Sequence, residues 1–166
     1  MILIALGANL PSTYGTPEET LEAAKSALGR LGVRIVSSSK TILAAPVPVS
    51  DQPWYRNAVV AVETALGPLA LLNVLHKVEA EFGRVRTVRN APRLLDLDLI
   101  AYHDEVIEQD DVFIPHPRLH ERGFVLLPLR EIAADWVHPV LKRSVEDLIA
   151  ALPNDQRAEF VETDVA

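Results

Sequence analysis

The stretch "LLDLDLIAY", residues 94–102, alternates leucine with aspartate and then runs out into apolar residues. A period of two is the signature of a strand, so residues 94–102 are expected to be one. Leu95, Leu97 and Leu99 then face a core, and Asp96 and Asp98 project together from the opposite face. Two strand steps put those carboxylates roughly 6.6 Å apart. At an effective dielectric of 20 they repel by about 2.5 kcal/mol, so something positive is needed beside them. The preceding ten residues, "RVRTVRNAPR" (84–93), contain four arginines and no acid. They carry +4 in a chain whose formal net charge is −7, which leaves −11 for everything else.

Reading outward from this pair, residues 2–6 form a buried apolar strand and residues 7–12 a turn-rich loop. Thr16, Pro17 and Glu19 make a capping box with proline at the first helical position. Leu21, Ala24, Leu28 and Leu31 supply the apolar stripe of that helix, which Gly32 ends. Residues 33–38 alternate as a strand. Residues 42–54 hold three prolines and are expected to be a stiff extended loop. Residues 55–64 are strand-like. Leu71, Leu75, Val78 and Phe82 mark a second helix, from near Pro68 to Gly83. A short strand is expected at 112–114, a turn at 115–124, and helical stretches near 125–133 and 144–152. The polar tail from 154 to 166 is expected to be loosely held. This order predicts one α/β (α+β) domain over residues 1–166, with helices covering a mainly antiparallel sheet.

Composition narrows the function. With 166 residues, nearly half of them hydrophobic, the chain suits a single folded core. It has no cysteine, which excludes disulfides and thiolate metal sites. No signal peptide and no membrane-length apolar run is read, and a cytoplasmic protein is expected. An acidic chain is a poor nucleic-acid binder, and a local basic segment in it suits a small anion. Phosphate-loop, dinucleotide-binding, nucleophile-elbow and cysteine-nucleophile motifs are missing.

The remaining features fit phosphoryl transfer. Paired carboxylates are hard oxygen donors suited to Mg²⁺. Arginine grips phosphate oxygens bidentately, and a loop bearing Arg84, Arg86, Arg89 and Arg93 can neutralise developing charge. The same arginines could instead pair directly with Asp96 and Asp98, with no metal. His116, Arg118 and Arg122 form a second basic cluster, in which His116 could serve a phosphate or simply a turn. His76 lies within the second helix. Tyr55 and Phe124 stand beside polar punctuation in a chain poor in aromatics. They could stack on a flat heterocycle or pack in the core. Asn57 could read a heterocycle edge.

In combination, "ALGANL" (5–10), "DQPWYRNAV" (51–59), "VEAEFGRVR" (78–86), "APRLLDLDLIAY" (91–102) and "IPHPRLHERGFVLLPL" (114–129) resemble the 6-hydroxymethyl-7,8-dihydropterin pyrophosphokinases of folate biosynthesis. The resemblance implies a ferredoxin-like sandwich that moves a pyrophosphoryl group from ATP to the pterin hydroxymethyl group and releases AMP. It implies two Mg²⁺ ions at Asp96 and Asp98, and transfer-step roles for Arg84 and Arg93. Pterin contacts fall to Ala44, Pro46, Val47, Tyr55, Asn57 and Phe124. Nucleotide contacts fall to His76, Arg86, Arg89, Leu97, His116 and Arg122. A monomer is expected, with a dimer left open. The chain departs from many members at Asn90-Ala91, where they carry tryptophan and glycine, and at Ala44-Ala45-Pro46, where some carry Thr-Pro-Pro.

Overall fold

The structure, a computed structural model, describes residues 1–45, 53–83, 94–154, 156 and 160–162. Its centre is β1 (Ile2–Ala8), buried along its whole length. A strand covered on both faces has no reason to alternate, which is why its sequence is almost continuously apolar. β1 pairs antiparallel with β4 (Tyr55–Glu63) on one side and with β5 (Asp96–Tyr102) on the other. β2 (Arg34–Ser38) and β3 (Ile42–Ala44) follow each other along the far edge of β4, both antiparallel to it. At the join between them Ser39 takes over the ladder. Its N–H donates to the Val59 carbonyl, and its hydroxyl accepts from the Val59 N–H, both at 2.9 Å.

The sheet has a core on each face. Ile2, Ile4 and Leu6 pack with Leu21 and Leu28 of α1 (Pro17–Arg30) and with Leu71, Leu75 and Val78 of α2 (Pro68–Glu81). On the opposite face, Leu3, Ala5, Val59 and Ala61 pack with Val125, Leu126 and Leu129 of α3 (Gly123–Ile132). Val145 and Leu148 of α4 (Val145–Ala150) complete that second core. α1 starts as its sequence predicts. Thr16 Oγ1 accepts from the Glu19 N–H, and Glu19 Oε1 accepts from the Thr16 N–H, both at 3.2 Å.

β5 contains one residue too many for its partner. Leu3 pairs with Ala101, but Ile4 pairs with Leu99, leaving Ile100 as a β-bulge. Up to that point alternation holds, with Leu97 and Leu99 in the helical core and Asp96 and Asp98 on the other face. At the bulge Ile100 and Ala101 both enter the second core, and Tyr102 returns to the first.

Four sequence expectations are revised. Residues 42–44 are a strand rather than the start of an extended loop. They precede the prolines, and the open edge of β4 offers them partners. β5 begins at Asp96, two residues later than the alternation suggests. β6 (Ile107–Gln109) was not anticipated. It pairs with β7 (Val112–Ile114) across Asp110 and Asp111, whose φ angles are 51° and 64°. Two left-handed residues make the tight hairpin turn that Asn-Gly usually signals, and here no glycine advertises it. Finally, the tail contributes a strand, β8 (Phe160–Glu162), antiparallel to β3.

Candidate active site

The antiparallel register builds the site. Across β4, β1 and β5 it aligns Asn57, Gly7 and Asp96 in one row. It aligns Val59, Ala5 and Asp98 in the next row. These rows occupy the end of the face that α3 and α4 cover further along. Where that helical cover stops, the sheet floor becomes polar and a cavity of about 680 Å³ opens. It is lined by Asp96, Asp98, Asn57 and Tyr55 from the sheet, and by His116, Arg122 and Phe124 from the opposite wall.

Gly7 makes room for Asn57. A Cβ added at Gly7 would lie 2.8 Å from Asn57 Oδ1, closer than real Cβ contacts come. The amide therefore lies across the bare backbone of β1, with Asn57 only 7% exposed. Between Tyr55 and Asn57, Arg56 points the other way. Its Nε donates to Glu18 Oε1 of α1 at 2.5 Å, and its Nη1 donates to the Trp54 carbonyl at 3.0 Å. Burial raises the Glu18 pKa, but backbone hydrogen bonding and Arg56 outweigh it and hold it below its ordinary value. This pair fixes β4 where the two pterin candidates emerge.

Asp98 is 45% exposed on its side chain, and Arg122 Nη1 lies 4.0 Å from its Oδ2. The same guanidinium sits over the Phe124 ring, Cζ 5.4 Å from the centroid. Arg122 thus spans the gap between the acid pair and an aromatic wall. His116 follows the cis Ile114–Pro115 peptide, and its N–H donates to the Ile100 carbonyl at 2.9 Å. Its Nδ1 accepts from the Arg118 N–H at 3.1 Å, so in neutral His116 the proton is on Nε2. Burial pushes its pKa below the usual value. Asp98 opposes that shift, and Arg122 and Arg118 add to it.

Of the residues singled out from sequence, Ala44, Tyr55, Asn57, Asp96, Asp98, His116, Arg122 and Phe124 all line this one cavity. Leu97 does not. Its side chain is buried in the helical core, and its N–H donates to Glu79 Oε2 at 3.0 Å. That leaves only its carbonyl for any ligand. His76 is half-buried on α2 and is not among the lining residues. Pro46, Val47, Arg84, Arg86, Arg89 and Arg93 lie outside the described residues. Sequence reading missed the space left by Gly7 and the hydrogen bonds made by Glu79 and Arg56. Only Gly7 carried a signal, as a glycine near the end of an otherwise apolar strand.

The paired acids suit a metal shared with substrate. Among the described residues no group of three or more His, Asp or Glu could hold an ion alone. Mg²⁺ is commonly held by one or two carboxylates plus phosphate oxygens and water, and Asp96 with Asp98 fits that donor set.

The family model of 7,8-dihydro-6-hydroxymethylpterin-pyrophosphokinase (HPPK) matches residues 3–134. The chain belongs to this family. An HPPK transfers a pyrophosphoryl group from ATP to 6-hydroxymethyl-7,8-dihydropterin, a step of folate biosynthesis, and that is the activity of this chain. Among relatives, a 2-amino-4-hydroxy-6-hydroxymethyldihydropteridine pyrophosphokinase of Haemophilus influenzae is 45% identical over 137 residues, 82% of this chain and 83% of the relative. One of Pseudomonas aeruginosa is 38% identical over 153 residues, 92% and 91% of the two chains. The fold is also that of Plasmodium falciparum HPPK-DHPS, with a TM-score of 0.71 at 14% identity. The superposition covers 90% of this chain and 43% of that one, so this chain spans less than half its length.

Proposed function

We propose that the cavity is where both HPPK substrates meet, and that its residues divide the work by wall. The observation that carries this is the convergence of two carboxylates, an amide, two aromatic rings, an arginine and a histidine on one cavity. Tyr55 and Phe124 hold the pterin by its faces, and Asn57 reads its edge with a directional amide. Asp96 and Asp98 hold Mg²⁺, which when bound neutralises and orients the ATP phosphates. Asp96 is assigned as one acceptor for the proton of the pterin hydroxyl, the alternative being that the metal lowers the pKa of that hydroxyl. Arg122 faces the phosphates from beside Asp98, and His116 donates from Nε2 to a phosphate oxygen. Arg84 and Arg93 are assigned to the transfer step, and His76, Arg86, Arg89 and Leu97 to the nucleotide. Pro46 and Val47 join Ala44 in pterin contacts through their backbone. The reading carries with it a monomeric cytoplasmic enzyme with two Mg²⁺ ions.

Incubation with ATP, Mg²⁺ and the dihydropterin is expected to yield AMP. ADP as product would overturn the reading. Asp96→Ala and Asp98→Ala should each lower Mg²⁺-dependent turnover by at least about 100-fold, since several kcal/mol of charge stabilisation are lost. Near-parental turnover in either variant would remove the metal assignment. Arg93→Ala should lower kcat far more than it weakens pterin binding.

A further inference from the structure

We infer that Gln156, in the segment after α4, is a positioning residue for the substrate cavity, holding the joint between Arg122 and Phe124. The inference deepens the cavity assignment above and depends on it. The first N–H groups of a helix have no partner within the helix. At the start of α3 the N-cap is Arg122, whose side chain makes no capping hydrogen bond. Gly123, the first helical residue, is buried, so its N–H needs a partner from elsewhere. Gln156 provides it from 33 positions away, its Oε1 accepting from the Gly123 N–H at 3.2 Å. The glutamine is 7% exposed. Its own N–H donates to the Pro153 carbonyl at 3.1 Å, which fixes it in a turn beyond α4. Both Pro153 and Gln156 line the cavity.

The amide that Gln156 holds lies at the joint between two functional side chains. On one side is Arg122, 4.0 Å from Asp98 Oδ2, and on the other is Phe124, whose ring the Arg122 guanidinium covers. Release of that amide lets the ring and the guanidinium shift together. A displacement of about an ångström in a positioned group can cost about 100-fold in rate. Sequence alone assigns residue 156 to a polar tail, and its hydrogen bond to α3 brings it to the cavity wall.

The test is a fluorescence titration of parent, Gln156→Ala, Gln156→Asn and Gln156→Glu proteins with 6-hydroxymethylpterin in the presence of a non-hydrolysable ATP analogue and Mg²⁺, paired with a thermal melt of each. Gln156→Ala and Gln156→Asn, the latter one methylene short, should bind the pterin about tenfold more weakly, as expected for a misplaced ring. Gln156→Glu keeps an acceptor for the Gly123 N–H and should return to within about threefold of the parent, as a carboxylate at a helix N-terminus is favourable. If Gln156→Ala unfolds, Gln156→Asn carries the comparison. Parental pterin affinity in the alanine or asparagine variant overturns the inference. So does a glutamate variant as weak as the alanine one. A parent protein that does not bind the pterin would instead overturn the cavity assignment itself.

Discussion

At the scale of single residues, the site depends on what is missing as much as on what is present. Gly7 has no side chain, and Asn57 uses the space. Gly7→Ala is expected to push the Asn57 amide aside while costing little stability, since the clashing atom ends a movable side chain. A pterin titration should show affinity lowered by about tenfold, the scale of one directional hydrogen bond to a buried ligand. Affinity unchanged from the parent would mean that Asn57 does not read the pterin. The acids and rings were legible in the sequence because alternation and scarcity single them out. The Gly7–Asn57 contact was not, because it arises only from a cross-strand register between residues 50 positions apart.

At the scale of elements, β5 is held from outside its own ladder. Glu79 on α2 is 1% exposed, and its carboxylate accepts from the N–H of Leu97, the residue between the two acids. Glu79→Ala leaves that N–H without its acceptor in a dry setting and should cost about 1–3 kcal/mol in urea unfolding. A loss no larger than that of Glu81→Ala, at an exposed position on the same helix, would contradict this. Thr16→Ala at the capping box of α1 should cost about 1 kcal/mol by the same measurement. Local codes such as that box, the leucine stripes of α1 and α2 and the strand periods were readable because neighbouring residues decide them. β3 and the β6–β7 hairpin were not. Three-residue strands carry too little pattern, and Asp110-Asp111 adopts a turn conformation that its composition does not announce.

For the molecule as a whole, pH should act through buried histidines. His138 is 5% exposed, and its Nδ1 accepts from the N–H groups of Val140 and Leu141, both at 3.1 Å. Burial lowers its pKa, and His120 adds to the shift. A histidine whose folded pKa lies below its unfolded value binds fewer protons in the folded state. Stability is therefore full above about pH 6.5 and declines as pH falls from there towards the folded pKa. His116 is shifted in the same direction. Thermal midpoints measured from about pH 7 down to about pH 5 should fall, and His138→Asn, which keeps an acceptor but cannot titrate, should fall less. Parallel slopes for the two proteins would exclude His138 as a contributor. The two-faced sheet itself was legible in part. The apolar run of β1 announced burial, but not that the face carrying the acids is itself a core a few residues further on.

The bulge at Ile100 keeps those two demands from colliding. It works as a change of parity inside one strand. Before it, even-numbered residues face the cavity and odd-numbered ones the helical core. After it, Tyr102 reaches that core from an even position, where its hydroxyl donates to the Leu66 carbonyl at 2.5 Å. Straightening the strand with Ile100 retained would force a choice between the acid pair and the tyrosine, whereas deletion of Ile100 would leave Asp96, Asp98 and Tyr102 on their present faces and remove one side chain from the second core. The strand is anchored at both ends, by Glu79 at Leu97 and by the His103 N–H donating to the Met1 carbonyl at 2.8 Å. With both ends held, a one-residue insertion or deletion between Leu97 and Leu99 would turn the side chains on one side of it to the opposite face, whereas an exposed loop would take one in its stride.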